Sequence, residues 1–203
     1  MKLYDYTLAP NPRRVRIFLA EKGIDVPLES IDIRSGGARA PEFLEKNSFG
    51  GIPVLELDDC TCISESVAIC RYFEEMHPEP PLFGTTAVEK ANIEMWLRRV
   101  ELGFMVPTGM VWLHGNPLTA KVVKQIPEVA DQYRERIHRA YALFDQQLAD
   151  HTFFSGNAYS VVDAVALASI DFARGLVGEP FGEDLEHLSR WHEDVSNRDS
   201  AMA

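Results

Sequence analysis

The spacing of apolar residues changes several times within the first eighty residues, and each change predicts a strand or a helix. Residues 2–6 have the alternation of a strand. Residues 11–22 have helical spacing, with Asn11 expected to cap the helix, Pro12 suited to its first position and Gly23 expected to end it. The residues of this helix that we expect to face a core are Val15, Phe18 and Leu19.

The alternation continues through the rest of this first part. Ile31 and Ile33 indicate a second strand, and Asp58-Asp59 is typical of a short turn. The other predicted elements are a short helix over 41–46, strands over 54–57 and 61–63, and a helix over 64–76 with Ile69, Cys70, Phe73 and Met76 inward. A right-handed crossover makes the first two strands parallel, whereas the short turn makes the last two antiparallel. The predicted order β-α-β-α-β-β-α, a mixed sheet with helices on both faces, is a thioredoxin-like arrangement.

Residues 77–81, His-Pro-Glu-Pro-Pro, interrupt this pattern and indicate a stiff extended connector. Beyond Ala87 the apolar spacing is helical almost throughout, with Pro107 expected to kink or end a helix. We therefore predict an α/β domain over 1–78, a linker over 79–86 and an all-α helical bundle over 87–203. The positions expected to be buried there are Ile93, Trp96, Leu97, Val100 and Phe104, then Ala130, Ile137, Tyr141, Phe144 and Leu148, then 164–170 behind a capping box at Ser160–Asp163, and Trp191.

Composition and charge exclude several classes of function. The chain has 203 residues, of which 46% are hydrophobic and 25% charged, as is usual for a folded protein. A formal net charge of −11 argues against nucleic acid and against an anionic membrane as partners, because both need a basic surface. No apolar run approaches the roughly 20 residues that span a bilayer, and the first residues lack the pattern of a signal peptide. The 3 cysteines give no disulfide framework, which indicates a cytoplasmic location, and the 6 histidines lack metal-ligand spacing, so we expect no metal.

The most informative feature is Pro53, which precedes an apolar strand and is followed by Ser64-Glu65-Ser66 at a helix start. Such a proline removes a backbone donor, and its peptide bond can be held cis, which would leave the peptide groups of Ile52 to a ligand. Glu65 and Ser66 would add a carboxylate, a hydroxyl and the first N–H groups of the helix, a set that suits a small zwitterionic peptide. The alternatives are a proline that only protects the sheet edge and a Ser-Glu-Ser start that caps itself.

Six segments, taken in order and spacing, resemble the cytosolic glutathione transferase family along essentially the whole chain. They are residues 3–4, 14–17, 50–55, 63–69, 160–164 and 188–191. The resemblance implies a thioredoxin-like first domain, an all-helical second domain, a homodimer, and glutathione as the bound thiol. It also implies that Ile52, before a cis Pro53, pairs with the cysteinyl part of glutathione. Ser66 would hold a free α-carboxylate, and Glu65 would neutralise the ammonium group, directly or across the dimer.

The group that activates the thiol departs from the family pattern. Family members use a Tyr, Ser or Cys near the first strand–helix turn, whereas residues 9–12 here contain no hydroxyl or thiol. Depending on the alignment, Ala9 or Asn11 takes that place. Asn11 could donate its amide to the sulfur, with Thr7 or Tyr6 as alternatives, or it could be only a helix cap.

The carboxylate at the glycyl end of glutathione would need a cation. Arg39, in the loop before the second helix, is the best candidate, because Gly51 stands where family members often carry Lys, Gln or Arg. Arg39 could equally be a solvated loop charge.

An apolar small-molecule electrophile is expected between the domains. Leu8 and Ala9 would line one side, and the candidates for the other are Phe104, Met105, Met110, Trp112 and His114, although a core position is the more common role for each. The leading hypothesis is a glutathione transferase. The alternatives are a glutathione-dependent isomerase or lyase, for which Arg13 and Arg16 could bind an acidic substrate, and a binding module that catalyses little.

Overall fold

The structure, a computed structural model, describes all 203 residues, and its internal contacts divide them into two units. The first unit comprises Met1–Leu82 and Asp199–Ala203, and the second comprises Phe83–Arg198. The break after Leu82 lies within the predicted linker, while residues 199–203, predicted as part of the helical domain, lie with the first unit. Contacts divide a chain by proximity and do not show which parts fold alone, so the domain boundaries stay a prediction.

A four-stranded mixed sheet forms the frame of the first unit. Its strands are β1 (Lys2–Asp5), β2 (Leu28–Ser30), β3 (Val54–Glu56) and β4 (Cys62–Ser64), in the spatial order β2-β1-β3-β4. β1 and β2 run parallel, whereas β1 with β3 and β3 with β4 are antiparallel. These pairings confirm the predicted element order and the thioredoxin-like class.

Three helices and one 3₁₀ turn accompany the sheet within Met1–Leu82. They are α1 (Pro10–Glu21), the 3₁₀ turn (Gly37–Arg39), α2 (Pro41–Leu44) and α3 (Ser66–Met76). α1 packs against α3, and the apolar face predicted for α1 is buried. Phe43 of α2 packs edge-on against Tyr4 of β1, with ring centroids 5.6 Å apart. The prediction that Met76 faces inward is wrong, because this last residue of α3 is 59% exposed.

The predicted second strand is displaced along the sequence. β2 ends before Ile31, whose N–H still donates to the carbonyl of Asp5 at 2.8 Å. Asp32 then turns the chain, because its Oδ1 accepts from the N–H of Arg34 at 2.9 Å. Ile33 is consequently 41% exposed, and the prediction of a strand at Ile31 and Ile33 is wrong in its position.

The second unit is all-helical, as predicted. Its elements are α4 (Ala87–Val100), a π-helical turn (Glu101–Met105), α5 (Val106–Gly115), a 3₁₀ turn (Pro117–Thr119), α6 (Pro127–Asp150), α7 (Val161–Phe172), a second π-helical turn (Ala173–Val177) and α8 (Glu186–Ser196). Pro107 follows the first π-helical turn, which accommodates its missing donor and matches the predicted interruption. The last 3₁₀ turn (Asp199–Met202) belongs to the first unit, where it packs against α1. None of the helices has the length and apolar character required to cross a membrane.

Aromatic rings fill the core of the second unit, and one buried carboxylate anchors them. Phe154 contacts Phe144 and Trp191, with ring centroids 4.9 Å and 4.8 Å apart. Asp163 Oδ1 accepts from Trp191 Nε1 at 2.9 Å and from the Phe154 N–H at 3.2 Å. Its Oδ2 accepts from the N–H and hydroxyl of Ser160, which is the predicted capping box. Burial raises the pKa of Asp163 to about 6, and these hydrogen bonds oppose that rise.

Candidate functional site

Three backbone segments meet at one end of the sheet of the first unit. β1 leads there into the turn at residues 7–9, β3 begins there after Pro53, and β4 ends there before α3. The register pairs Tyr4 of β1 with Val54 of β3, and Val54 with Ser64 of β4. Residues predicted from separate motifs therefore lie at the same end of the sheet.

The peptide groups of Ile52 are open at this end of the sheet. The bond between Ile52 and Pro53 is cis, as the sequence predicts. Pro53 is buried, Ile52 is half-buried, and β3 begins only at the next residue, Val54. Within the chain, neither the backbone N–H nor the backbone carbonyl of Ile52 makes a hydrogen bond. The backbone just before β3, at Ile52, can therefore pair with one more extended segment, although β3 itself is paired on both sides by β1 and β4.

Asn47 braces the loop that leads to Ile52, and the sequence analysis did not single it out. This buried side chain donates from Nδ2 to the Gly51 carbonyl at 2.8 Å and accepts at Oδ1 from the Phe49 N–H at 3.1 Å. Arg39 Nη1 donates to the Phe49 carbonyl at 3.0 Å. Gly50 has φ +62°, and a Cβ there would lie 2.7 Å from a backbone oxygen. An Asn shortly before Gly-Gly is typical of such turns and could have indicated this brace.

The start of α3 does not cap itself, so that alternative for the Ser-Glu-Ser segment is wrong. The N-cap residue is Glu65, which makes no side-chain capping bond, is exposed, and has φ 72°. Ser66 is 6% exposed and accepts at Oγ from Arg14 Nη1 at 3.4 Å. The backbone N–H groups of Ser66 and Val67 make no hydrogen bond in the chain. This helix start therefore presents donors that lack acceptors.

The prediction that Asn11 caps α1 is wrong. The helix begins one residue before it, at Pro10, and Ala9 is the N-cap residue, without a side-chain cap. Proline at the first position fixes the helical φ, which accounts for the earlier start. Asn11 is half-buried, and its Oδ1 is buried without a hydrogen-bond partner. The fold therefore makes no use of this side-chain oxygen.

The prolines also remove donors from the start of α1. Pro10 and Pro12 have no N–H group, and the Ala9 N–H donates to the Tyr6 carbonyl at 2.9 Å. The backbone N–H of Asn11 is thus the one donor in the first three helical positions, and it makes no hydrogen bond. Asn11 therefore supplies both the free backbone N–H at the positive end of α1 and a side-chain amide that can donate to a ligand.

A buried ion pair fixes the turn between β1 and α1. Arg16 Nη1 contacts Asp5 Oδ1, and its Nη2 donates to the Thr7 carbonyl at 3.1 Å. Thr7 itself is exposed, and Tyr6 is half-buried. The neighbouring hydroxyl of Tyr4 is already engaged, because it donates to Glu56 at 2.6 Å. The hydroxyls of Tyr6 and Thr7, predicted as alternatives to Asn11, are therefore the ones at this turn that remain available to a ligand.

The other candidates from the sequence separate into core and surface positions. Phe104 is fully buried in the second unit, with its ring centroid 4.9 Å from that of Tyr141. Leu8 is 57% exposed. Cys60 is exposed and Cys70 buried, while burial raises the pKa of the half-buried Cys62 thiol. The chain contains no cluster of three or more side chains arranged to hold a metal ion.

A groove of about 780 Å³ runs along the second unit between α4, the first π-helical turn and α6. Its apolar lining is Trp96, Leu102, Pro107, Ala140, Leu143 and Phe144. Its polar lining comprises Arg99, Arg136 and Arg139 together with Gln146, Gln147 and Asp150. Arg99 and Arg136 stack on aromatic rings, and none of the three arginines forms an ion pair with a carboxylate.

Comparison with known proteins gives a consistent result across the chain. It matches the N-terminal domain of glutathione S-transferases over residues 3–81 and their C-terminal domain over 108–199. It is 34% identical to glutathione S-transferase 2 of Saccharomyces cerevisiae, an alignment that covers 98% of this chain and 87% of the yeast protein. A glutathione S-transferase domain-containing protein of Marinobacter aquaeolei superimposes with a TM-score of 0.94 and 35% identity, covering 98% of this chain and 99% of that one. Maleylacetoacetate isomerase of Pseudomonas aeruginosa is 39% identical over 94 residues, which cover 45% of this chain and 44% of that enzyme.

Proposed function

Because this chain belongs to the cytosolic glutathione S-transferase family, we propose that it joins the sulfur of glutathione to an apolar electrophile. The chain is accordingly a transferase enzyme. One observation carries the proposal. The unpaired peptide groups of Ile52 and the unpaired donors at the start of α3 lie at the same end of one sheet. The three cysteines are free thiols, which supports a reducing, cytoplasmic setting where glutathione is available.

Each part of glutathione has a proposed partner at this end of the sheet. The cysteinyl backbone pairs with the peptide groups of Ile52, before Pro53, as an added extended segment. The γ-glutamyl carboxylate accepts from the hydroxyl and N–H of Ser66, and Glu65 neutralises the ammonium group. Arg39, which is held beside the loop before Ile52, binds the glycyl carboxylate.

We assign thiol activation to Asn11. A free thiol with a pKa of roughly 8.5 is only a few per cent ionised at neutral pH. One hydrogen bond to a charged group contributes about 1.5–3 kcal/mol, or about one to two pKa units. The backbone N–H of Asn11 has no acceptor in the chain, and its side-chain amide has no role in capping. Together they could bring the bound thiol close to half ionised at pH 7.

An ultraviolet titration of bound glutathione tests this assignment, since the thiolate absorbs and the thiol does not. We expect Asn11→Ala to raise the pKa of the bound thiol by about one to two units. Thr7→Val and Tyr6→Phe serve as matched variants of the same turn. Suppose that the thiol pKa stays within a few tenths of wild type in Asn11→Ala but rises in Thr7→Val or Tyr6→Phe. Thiol activation would then belong to Thr7 or Tyr6 and not to Asn11. Absence of any glutathione binding would contradict the proposed function itself.

Two alternatives differ in the fate of glutathione. An isomerase or lyase would return glutathione unchanged, and the similarity of part of the chain to a maleylacetoacetate isomerase favours it. A binding module would be retained on immobilised glutathione and show no turnover. Measuring glutathione before and after reaction with a panel of electrophiles and unsaturated diacids separates the three.

We further propose that the protein is a homodimer in which the groove of the second unit receives another copy. The groove combines apolar side chains with three arginines that form no ion pair, so it can receive an exposed apolar side chain with nearby carboxylates from a second copy. Phe49 in the first unit is 84% exposed and offers an apolar side chain for such a contact. Analytical ultracentrifugation should show a dimer for the wild type and a shift toward monomer for Phe49→Ser and Arg136→Glu. A monomeric wild type would contradict the proposal.

A further inference from the structure

Arg14 is a buried cation that contacts the start of α3. It lies on α1, is only 3% exposed, and donates from Nη1 to Ser66 Oγ at 3.4 Å. Ser66 is itself 6% exposed and makes no other side-chain hydrogen bond in the chain. The family pattern and the sequence motifs assign Arg14 no task.

We propose that Arg14 is a positioning residue that holds Ser66 as a hydrogen-bond donor to the γ-glutamyl carboxylate. This inference rests on the proposed function, because it concerns how the same site recognises its ligand. Arg14 does not touch the ligand in this scheme and acts through Ser66.

This role follows from counting the hydrogen-bond donors and acceptors of Arg14 and Ser66. A guanidinium has only donors, so in its contact with Arg14 the oxygen of Ser66 must accept. The single hydroxyl proton of Ser66 therefore points away from Arg14, and no acceptor for it is present in the chain. A buried hydroxyl donor without an acceptor is unfavourable, and a carboxylate oxygen would satisfy it.

The cation also strengthens the donor that it orients. A hydroxyl that accepts a bond from a charged group is polarised and becomes a better donor to the next group. The hydroxyl, the Ser66 N–H and the positive end of α3 would then act on one carboxylate. The expected consequence is selectivity for a ligand with a carboxylate at this position over one without it.

The experiment compares glutathione with γ-aminobutyryl-cysteinyl-glycine, in which hydrogen replaces the α-carboxylate, by isothermal titration calorimetry. The readout is the dissociation constant of the analogue divided by that of glutathione, so a high ratio means a strong preference for the α-carboxylate. Arg14→Lys keeps a side chain that can only donate, whereas Arg14→Gln adds an amide oxygen that can accept the proton of Ser66. We expect Arg14→Gln to lower the ratio by ~5-fold and Arg14→Lys to keep it within ~2-fold of wild type.

Coupling to Ser66 distinguishes this role from a general effect on folding. Ser66→Ala should lower the ratio by ~10-fold, and adding Arg14→Gln to it should change the ratio by less than ~2-fold. Arg71→Met, which removes an exposed cation from α3 itself, is the charge control and should leave the ratio unchanged. Melting temperatures check that each variant is folded.

The possible outcomes are separable. Equal ratios for Arg14→Gln and Arg14→Lys, or additive effects of Arg14→Gln and Ser66→Ala, would overturn the inference while leaving the proposed function intact. If Arg14→Gln does not fold, Arg14→Lys decides, because a folded variant that loses the preference for the carboxylate contradicts the inference and one that retains it supports it. A wild-type protein that binds neither ligand would overturn the proposed function as well.

Discussion

Two sites of this molecule, one in each unit, contain buried or half-buried polar groups, and the chain pairs these groups to very different degrees. In the second unit, Asp163 accepts four hydrogen bonds, from Ser160, Phe154 and Trp191. In the first unit, the Oδ1 of Asn11 is buried without a partner, and the peptide groups of Ile52 make no bond in the chain. Both sites contain polar groups out of contact with bulk water, but the chain itself provides hydrogen-bond partners only at Asp163.

This difference separates a structural site from a ligand site. A polar group whose partners come from the chain contributes to stability, because its loss leaves other buried groups unpaired. A polar group that the chain leaves unpaired costs stability and is tolerated where something else pairs with it. Variants of Asp163 should therefore change folding, and variants at the end of the sheet should change binding.

The largest effect is expected for Asp163→Asn. The amide nitrogen would face N–H or O–H donors, so at least two bonds are lost, and the free energy of unfolding should fall by about 3 kcal/mol. Urea denaturation measures this change. Asp131→Asn, at an exposed ion pair with Arg134, is the matched control and should cost less than about 0.5 kcal/mol. An equal loss in both variants would remove the distinction drawn here.

A related effect is a pH dependence of stability. The pKa of Asp163 is raised from 3.8 to about 6 by burial, so the folded state holds its proton more tightly than the unfolded state. Its contribution to the free energy of unfolding is present below pH 4 and is lost as pH rises toward 6, by about 2–3 kcal/mol. The difference between wild-type and Asp163→Asn stability, measured from pH 4 to pH 7, should show this fall and then become flat. A flat difference throughout would contradict the expectation.

A smaller effect is expected for Asn47→Ala, which removes two hydrogen bonds from the loop before Ile52. The loss should be about 1–2 kcal/mol in stability, with weaker glutathione binding because the Ile52 peptide groups lose their fixed position. Denaturation and calorimetry measure the two quantities. Ser48→Ala, at an exposed neighbour, should alter neither. Unchanged binding in Asn47→Ala would mean that the loop does not position the ligand.

The smallest expected change in stability comes from the backbone strain at Glu65. Its φ of 72° is unfavourable for any residue with a Cβ. Glu65→Gly and Glu65→Ala both remove the carboxylate and should weaken glutathione binding alike. Glu65→Gly should nevertheless be about 1 kcal/mol more stable than Glu65→Ala, because glycine adopts this φ without strain. If the alanine variant is the more stable one, the backbone is not strained at this position.

The sequence predicted those parts of the fold and site that depend on short-range patterns. The cis bond at Pro53 and the existence of α3 follow from residues close in the chain, although α3 begins at Ser66 and not at residue 64, which ends β4. The start of α1 was misplaced because Pro10 and Pro12 both suit a first turn, and the pattern alone does not choose between them.

The contacts that position the site were beyond the sequence because they join distant residues. Arg14 meets Ser66 across 52 positions of the chain. The brace from Asn47 depends on how its loop closes, which propensity does not determine. Side-chain roles of this kind require the tertiary structure, whereas Asn11, Thr7, Glu65 and Arg39 stay predictions until ligand binding is measured.

The 3₁₀ turn at Asp199–Met202 has a consequence for how the protein is made. Arg13 on α1 donates to the carbonyl of Ala201, which a ribosome adds 188 residues later. During translation, α1 is therefore synthesised well before residues 199–202, which contact it in the folded protein. All contacts of the first unit can therefore form only after the whole of the second unit has been synthesised.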